Sequence, residues 1–175
     1  MSDNTIQDLS KEANTVDVSE PEAQYMVQCE DVRLITSSLR PLVIDEGDTK
    51  LESRFAFRIN AVVQDNQAHS YLEVQANYYI VGEPEELHGY QLRFVYMATF
   101  HSSQEIHPEG LVDFAKMYTL SILWPYAREY ANDQLRRTGE ENLVLPIINP
   151  QVVTEQLIEN DFIHVAIIDT QEESE

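Results

Sequence analysis

The stretch SILWPYAREYANDQLRRTG, residues 121–139, sets a proline among residues that otherwise repeat like a helix. Upstream and through it, Leu111, Phe114, Ala115, Tyr118, Ile122, Tyr126, Ala127 and Tyr130 recur at three- and four-residue spacing, the period of an apolar helical stripe. Pro125 has no N–H to give to the Ser121 carbonyl, and a proline costs about 3 kcal/mol in a helix interior. It therefore marks either a kink in one long helix or the first turn of a second one. Gly139 is the stop, and Arg136 and Arg137 complement the negative end of the helix dipole. The span predicts a helix of about 27 residues, roughly 40 Å at 1.5 Å per residue. A helix outreaching its sheet leaves apolar rows for a second copy of the chain.

Upstream of the helix the period is two. In LESRFAFRINAVV, Phe55, Phe57, Ile59, Ala61 and Val63 share one face, with Arg54, Arg58 and Asn60 on the other. YLEVQANYYIV repeats the pattern with Leu72, Val74, Ala76, Tyr78 and Ile80. YQLRFVYMATF follows with Leu92, Phe94, Tyr96, Ala98 and Phe100. Short turns between these runs predict an antiparallel meander covered on one side. An earlier run, YMVQCEDVRLIT, changes phase between Val27 and Cys29 on one hand and Val32 and Leu34 on the other, which predicts a strand with a bulge. SSLRPLVIDEGDT then reads as an apolar loop joining that strand to the rest. The fold class predicted is α+β, a four-stranded antiparallel sheet with a crossover loop, packed by a long kinked helix and a shorter second helix. DFIHVAIID, residues 161–169, has the β-branched content of an extended segment.

The 175 residues fit one domain, with residues 1–23 as an acidic flexible tail, 24–160 as the folded unit and 161–175 as an extended segment and acidic tail. A formal net charge of −20 opposes nucleic-acid and anionic-membrane binding. One cysteine, Cys29, excludes an internal disulfide and reads as a small buried or half-buried strand residue. With no signal-peptide pattern and no long apolar run, a soluble cytoplasmic protein is expected.

ILWPYARE, residues 122–129, resembles the ILFPYARE-type signature of the SecB family of export chaperones, with Trp124 where phenylalanine is usual. RRTGEENLVLPIIN continues the resemblance: Gly139, Leu143, Leu145, Pro146, Ile147 and Asn149 follow the family's order of a glycine and an L-x-L-x-P-[IV]-N segment before a second helix, which Asn149 would cap. The similarity spans about residues 24–160. It departs at Thr119-Leu120, where the family commonly has Cys-Pro, and at Ile35 and Arg93, where acids of the SecA-docking face belong; Asp31 matches that face.

The resemblance implies an ATP-independent holdase for unfolded or nascent polypeptides in protein export, assembled as a homotetramer, a dimer of dimers. Its alternative is a SecB-like chaperone dedicated to an antitoxin of a toxin–antitoxin system. Candidate client-binding residues are Leu39, Leu42, Val43 and Ile44 in the loop, and Val153, Leu157 and Ile158 on the second helix. Trp124, Tyr126 and Tyr130, with Phe94 and Tyr96, are the candidate oligomer interface, and Asp31 the candidate docking residue. No catalytic group, metal or cofactor is expected: His101 and His107 have no metal-ligand spacing, and no phosphate loop or nucleophile motif occurs. Arg128 is expected to pair with an Asp or Glu. Two rivals stay open, a small α+β cavity enzyme and an acidic DNA mimic.

Overall fold

In the computed structural model the chain is described over residues 27–41, 51–80, 89–103, 107–139 and 144–168, with Leu51 and Ile80 as backbone only. Strands β1 (Val27–Pro41), β2 (Leu51–Gln64), β3 (Gln67–Ile80) and β4 (Gly89–Ser102) are followed by helix α1 (Pro108–Arg137), helix α2 (Pro150–Glu159) and strand β5 (Ile163–Ile168). The sheet has five strands in the order β1-β4-β3-β2-β5, with β1 beside β4 so that the β1–β2 connection is a crossover.

The fifth strand corrects the four-stranded antiparallel expectation: β5 runs parallel to β2, pairing Ile59 with Ile163 through Gln64 with Ile168. The extended reading of this segment is the one the chain adopts. Asp161, at φ 56°, turns it directly out of α2, and the Phe162 carbonyl accepts from the Ile59 N–H at 3.1 Å.

The inner face of β2, β3 and β4 is the one the alternation marks, with Ile59, Val63, Leu72, Val74, Ala76, Leu92, Ala98 and Phe100 fully buried. β1 contains two bulges, between Cys29 and Asp31 and between Leu34 and Thr36. Each adds one residue and flips the phase, so Val27 and Cys29, then Val32 and Leu34, then Leu39 all stand opposite inner-face residues of β4. The irregular alternation of β1 is the pattern needed to keep its apolar residues on one side.

α1 is a single 30-residue helix with Pro125 inside it, not two helices abutting. Both Pro125 and Ser121 are on the exposed side, where water can satisfy the Ser121 carbonyl that the proline leaves without a partner. The stripe Leu111, Ala115, Thr119, Leu120, Leu123, Trp124, Ala127, Ala131 and Leu135 is buried on the sheet. The helix does not outreach its sheet, as the sequence had implied: strands of fourteen residues are about as long as α1. What exceeds it is sheet width. Five strands span about 19 Å, a helix covers about 10 Å, and α1 packs over β3, β2 and β4. At the uncovered edge Leu34 and Cys29 are exposed, which corrects the burial expected for the cysteine.

Candidate functional site

Two stretches of the structure have apolar groups with no partner in the described chain. The first lies at the free half of β2. Since β5 pairs only from Ile59 onward, no described strand meets the outer edge of β2 before that residue. Ile59 points its N–H outward to Phe162. By the period of two, Ser53, Phe55 and Phe57 turn their N–H and C=O groups toward the same open edge. Their side chains lie on the inner face. Phe57 meets Trp124 edge-on at 5.2 Å between centroids, and Phe55 meets Tyr78 at 6.1 Å. On the outer side of the same edge a hollow of about 160 Å³ opens among Ala56, Arg58, Glu73 and Gln75, with Phe57 and Phe162 at its border.

α2 leads into this edge, its Leu157 carbonyl accepting from the Phe162 N–H at 2.8 Å. Its N-cap is the predicted one: Asn149 Oδ1 accepts from the Gln151 N–H at 3.1 Å, with Pro150 in the first turn. Arg128 donates from Nε to the Leu145 carbonyl at 3.3 Å, tying the segment before α2 to α1; among the described residues its partner is this backbone oxygen and not the expected carboxylate. Leu157 is buried and Val153 half-buried, while Val152 and Ile158 are exposed, as are Phe162 and Ile147. Of the loop candidates only Leu39 is described, half-buried on β1 at the sheet edge far from β5; Leu42, Val43 and Ile44 lie outside the described residues. Phe57 and Phe162 were not singled out from the sequence, because the first reads as an ordinary inward strand residue and the second gains its place from the non-local pairing of β5.

Two buried donors near this end, the Trp124 indole N–H and the Tyr78 hydroxyl, have no hydrogen-bond partner among the described residues. Burial pushes the Tyr78 phenol well above the usual tyrosine range.

The second stretch is a seam of aromatic side chains along α1 and β4. Phe94 and Tyr130 meet at 5.2 Å, Tyr96 lies 6.1 Å from Tyr130 and 6.3 Å from Tyr126, and Phe114 bridges Phe100 and Tyr118 at 5.2 and 4.8 Å. Burial, then Tyr130 and Glu129, raise the Tyr96 phenol. Tyr118 is 52% exposed and Tyr126 46%, two turns apart on one side of α1. Of the candidate interface residues, Tyr126, Tyr130 and Tyr96 reach this surface. Trp124, only 4% exposed, and Phe94, at 1%, instead face the protomer's own core.

Asp31 stands on the outer sheet face, ion-paired with Arg33. Arg93 is exposed on the same face, and Ile35 is the extra residue of the second bulge. His101 lies 3.7 Å from Glu30 and His107 3.7 Å from Glu109, both as separate surface pairs. No three His, Cys, Asp or Glu side chains converge among the described residues, nor is any described helix long and apolar enough to cross a membrane.

No family model matches the chain, and no curated protein matches it in sequence. Among solved structures, its fold is similar to that of the Mycobacterium tuberculosis Rv1957 SecB-like chaperone in complex with a ChAD peptide from the Rv1956 HigA1 antitoxin, with a TM-score of 0.59 and 18% identity over 70% of this chain and 90% of that one. The fold of this chain is SecB-like.

Proposed function

We propose that this protein is an ATP-independent chaperone that holds a non-native polypeptide in extended form, with the open edge of β2 and the exposed aliphatics of α2 as its client site. The observation that carries the reading is the half of β2 whose outer edge no described strand pairs, where the backbone groups of Ser53, Phe55 and Phe57 open toward the edge that Phe162 enters, with the exposed Val152 and Ile158 on the helix that leads into it. An added strand gives affinity through main-chain hydrogen bonds, which do not depend on client sequence. Apolar client side chains gain about 25 cal/mol per Å² against the phenylalanines and α2. None of these steps uses a nucleotide or a catalytic group.

The SecB-like fold supports a chaperone, and the antitoxin peptide bound to the structural neighbour favours a dedicated antitoxin-type client over general export. Service to SecA is the second reading; it is weakened by Arg33 neutralising Asp31 and by Arg93 on the same face. A DNA mimic needs rows of fixed acids, whereas the outer sheet face carries arginines. The assembly proposed is a dimer of dimers through β1 and the aromatic seam of α1, in the cytoplasm.

The test is light scattering of a chemically unfolded client diluted into buffer with the full chain and no nucleotide. Stoichiometric protein should suppress aggregation, and Ile158→Ser combined with Phe162→Ser should weaken suppression about tenfold while far-ultraviolet circular dichroism stays unchanged. Equal suppression by this variant would remove the site; no suppression by the native chain would remove the function.

A further inference from the structure

The outer face of the sheet carries charge of the opposite sign to the molecule. Acids outnumber Lys and Arg 31 to 11 over the whole chain, yet Arg33, Arg40, Arg54, Arg58 and Arg93, five of those eleven bases, stand on this one face. The density is highest in three cross-strand rows next to the crossover end. Strand register places Arg40, Gln91, Asn77 and Arg54 in the first row, Ser38, Arg93, Gln75 and Ala56 in the second, and Thr36, Val95, Glu73 and Arg58 in the third. Twelve side chains there include four arginines and a single carboxylate, Glu73. Among the described residues, Arg40, Arg58 and Arg93 have no carboxylate within ion-pair distance.

We infer that this face docks an extended acidic polypeptide segment of a partner protein. The rows cover about 14 by 13 Å at ordinary sheet spacings, the length of four extended residues. Between the arginines run three amides joined through Asn77, whose Oδ1 accepts from Gln75 Nε2 at 3.3 Å and from Gln91 Nε2 at 3.1 Å. Amides offer both donors and acceptors, which matches a peptide backbone; a phosphate chain offers acceptors only. Beside them a hollow of about 220 Å³ opens among Thr36, Ser38, Glu73, Arg93 and Val95, large enough for a side chain. Arginine forks hold carboxylates with two parallel hydrogen bonds.

The net charge of −20 does not prevent this contact, because repulsion from charges more than about 8–10 Å away is screened at physiological salt, leaving the local face to decide. It does act against a polyphosphate, whose charge is dense along its whole length. The rows meet the client edge at β2, where Ala56, Arg58, Glu73 and Gln75 line the hollow beside Phe57 and Phe162, whereas Arg40 and Arg93 stand on β1 and β4 at the other side of the sheet.

The experiment is fluorescence anisotropy of the full-length protein with a fluorescein-labelled peptide alternating Glu and Thr, its Gln/Thr and Lys/Thr counterparts, and a single-stranded DNA oligonucleotide of equal length. At physiological salt the Glu/Thr peptide should bind, weaken as salt is raised further, and lose about tenfold in affinity with Arg40→Glu/Arg93→Glu; the Gln/Thr peptide should not bind, and the Lys/Thr peptide, which the net charge attracts, should not weaken with that variant. Arg40→Gln/Arg93→Gln serves if the reversal disturbs folding, and should weaken binding in the same direction. Absence of binding at physiological salt, or affinity indifferent to both variant pairs, overturns the proposal. DNA bound as tightly as the peptide and lost with the same variants overturns the choice of polypeptide. Suppression of client aggregation should be unchanged by these variants, which separates failure here from failure of the chaperone reading.

Discussion

Replacing Tyr118 and Tyr126 together by serine should take apart the proposed assembly without unfolding the protomer. A tyrosine presents about 150–250 Å² in all. With 52% and 46% of these two residues exposed, each leaves about 100 Å² for a second copy to cover. At about 25 cal/mol per Å² that is at most about 2.5 kcal/mol per tyrosine. A two-fold interface uses each pair twice, so even if a third of the total is realised the loss is about 3 kcal/mol, more than a hundredfold in dissociation constant. The cost to the protomer is small because both side chains already meet water. Sedimentation velocity over a dilution series would show the native chain as dimer and tetramer and the variant as protomer at the same concentration. A native chain that sediments as a monomer throughout, or a variant with an unshifted dilution midpoint and unchanged circular dichroism, would refute the interface.

Other consequences are separately measurable. Gly89 sits at φ 133°, and a Cβ there would lie 1.6 Å from the Tyr78 carbonyl oxygen across the β3–β4 pair, so Gly89→Ala should cost more than about 3 kcal/mol in urea unfolding. Trp124→Ala should cost about 3–5 kcal/mol through the cavity left against Phe57, whereas Trp124→Phe should cost less than about 1.5 kcal/mol because it removes an unpartnered N–H along with the lost area. The Tyr78 phenol keeps its proton in the folded state above its ordinary value of 10.0. The unfolded chain then binds fewer protons than the native one at alkaline pH, so stability is intact below about pH 10 and falls as pH rises beyond it. Tyr78→Phe should flatten that part of the stability profile measured by urea midpoints.

Period and punctuation made much of the fold legible. The three strands with clean alternation bury most of the residues that alternation names, leaving Phe55, Phe57 and Tyr96 half-buried, and the Asn149–Pro150 pair opens α2 where cap chemistry puts it. Pro125 is resolved by its exposed position, which spacing alone could not give. Three features escaped for physical reasons. β5 is six residues long and owes its place to a parallel pairing about a hundred residues distant in sequence, for which no local signal exists. α1 has two apolar stripes, and its composition does not say which one meets the sheet; Trp124 turned out to belong to the buried stripe and Tyr126 to the open one. The basic outer face is invisible in a composition with a net charge of −20, because it arises from cross-strand register between residues far apart in the chain.

The client site is tested most directly by hydrogen exchange on the full chain with and without a bound unfolded client, read by mass spectrometry at single-residue fragmentation. Strand addition predicts that the outward-facing amides of Ser53, Phe55 and Phe57 slow markedly when client is bound, with added protection in α2 near Ile158 and at Phe162. Client binding that leaves those amides exchanging as in the free protein, and protects another surface instead, would contradict the account.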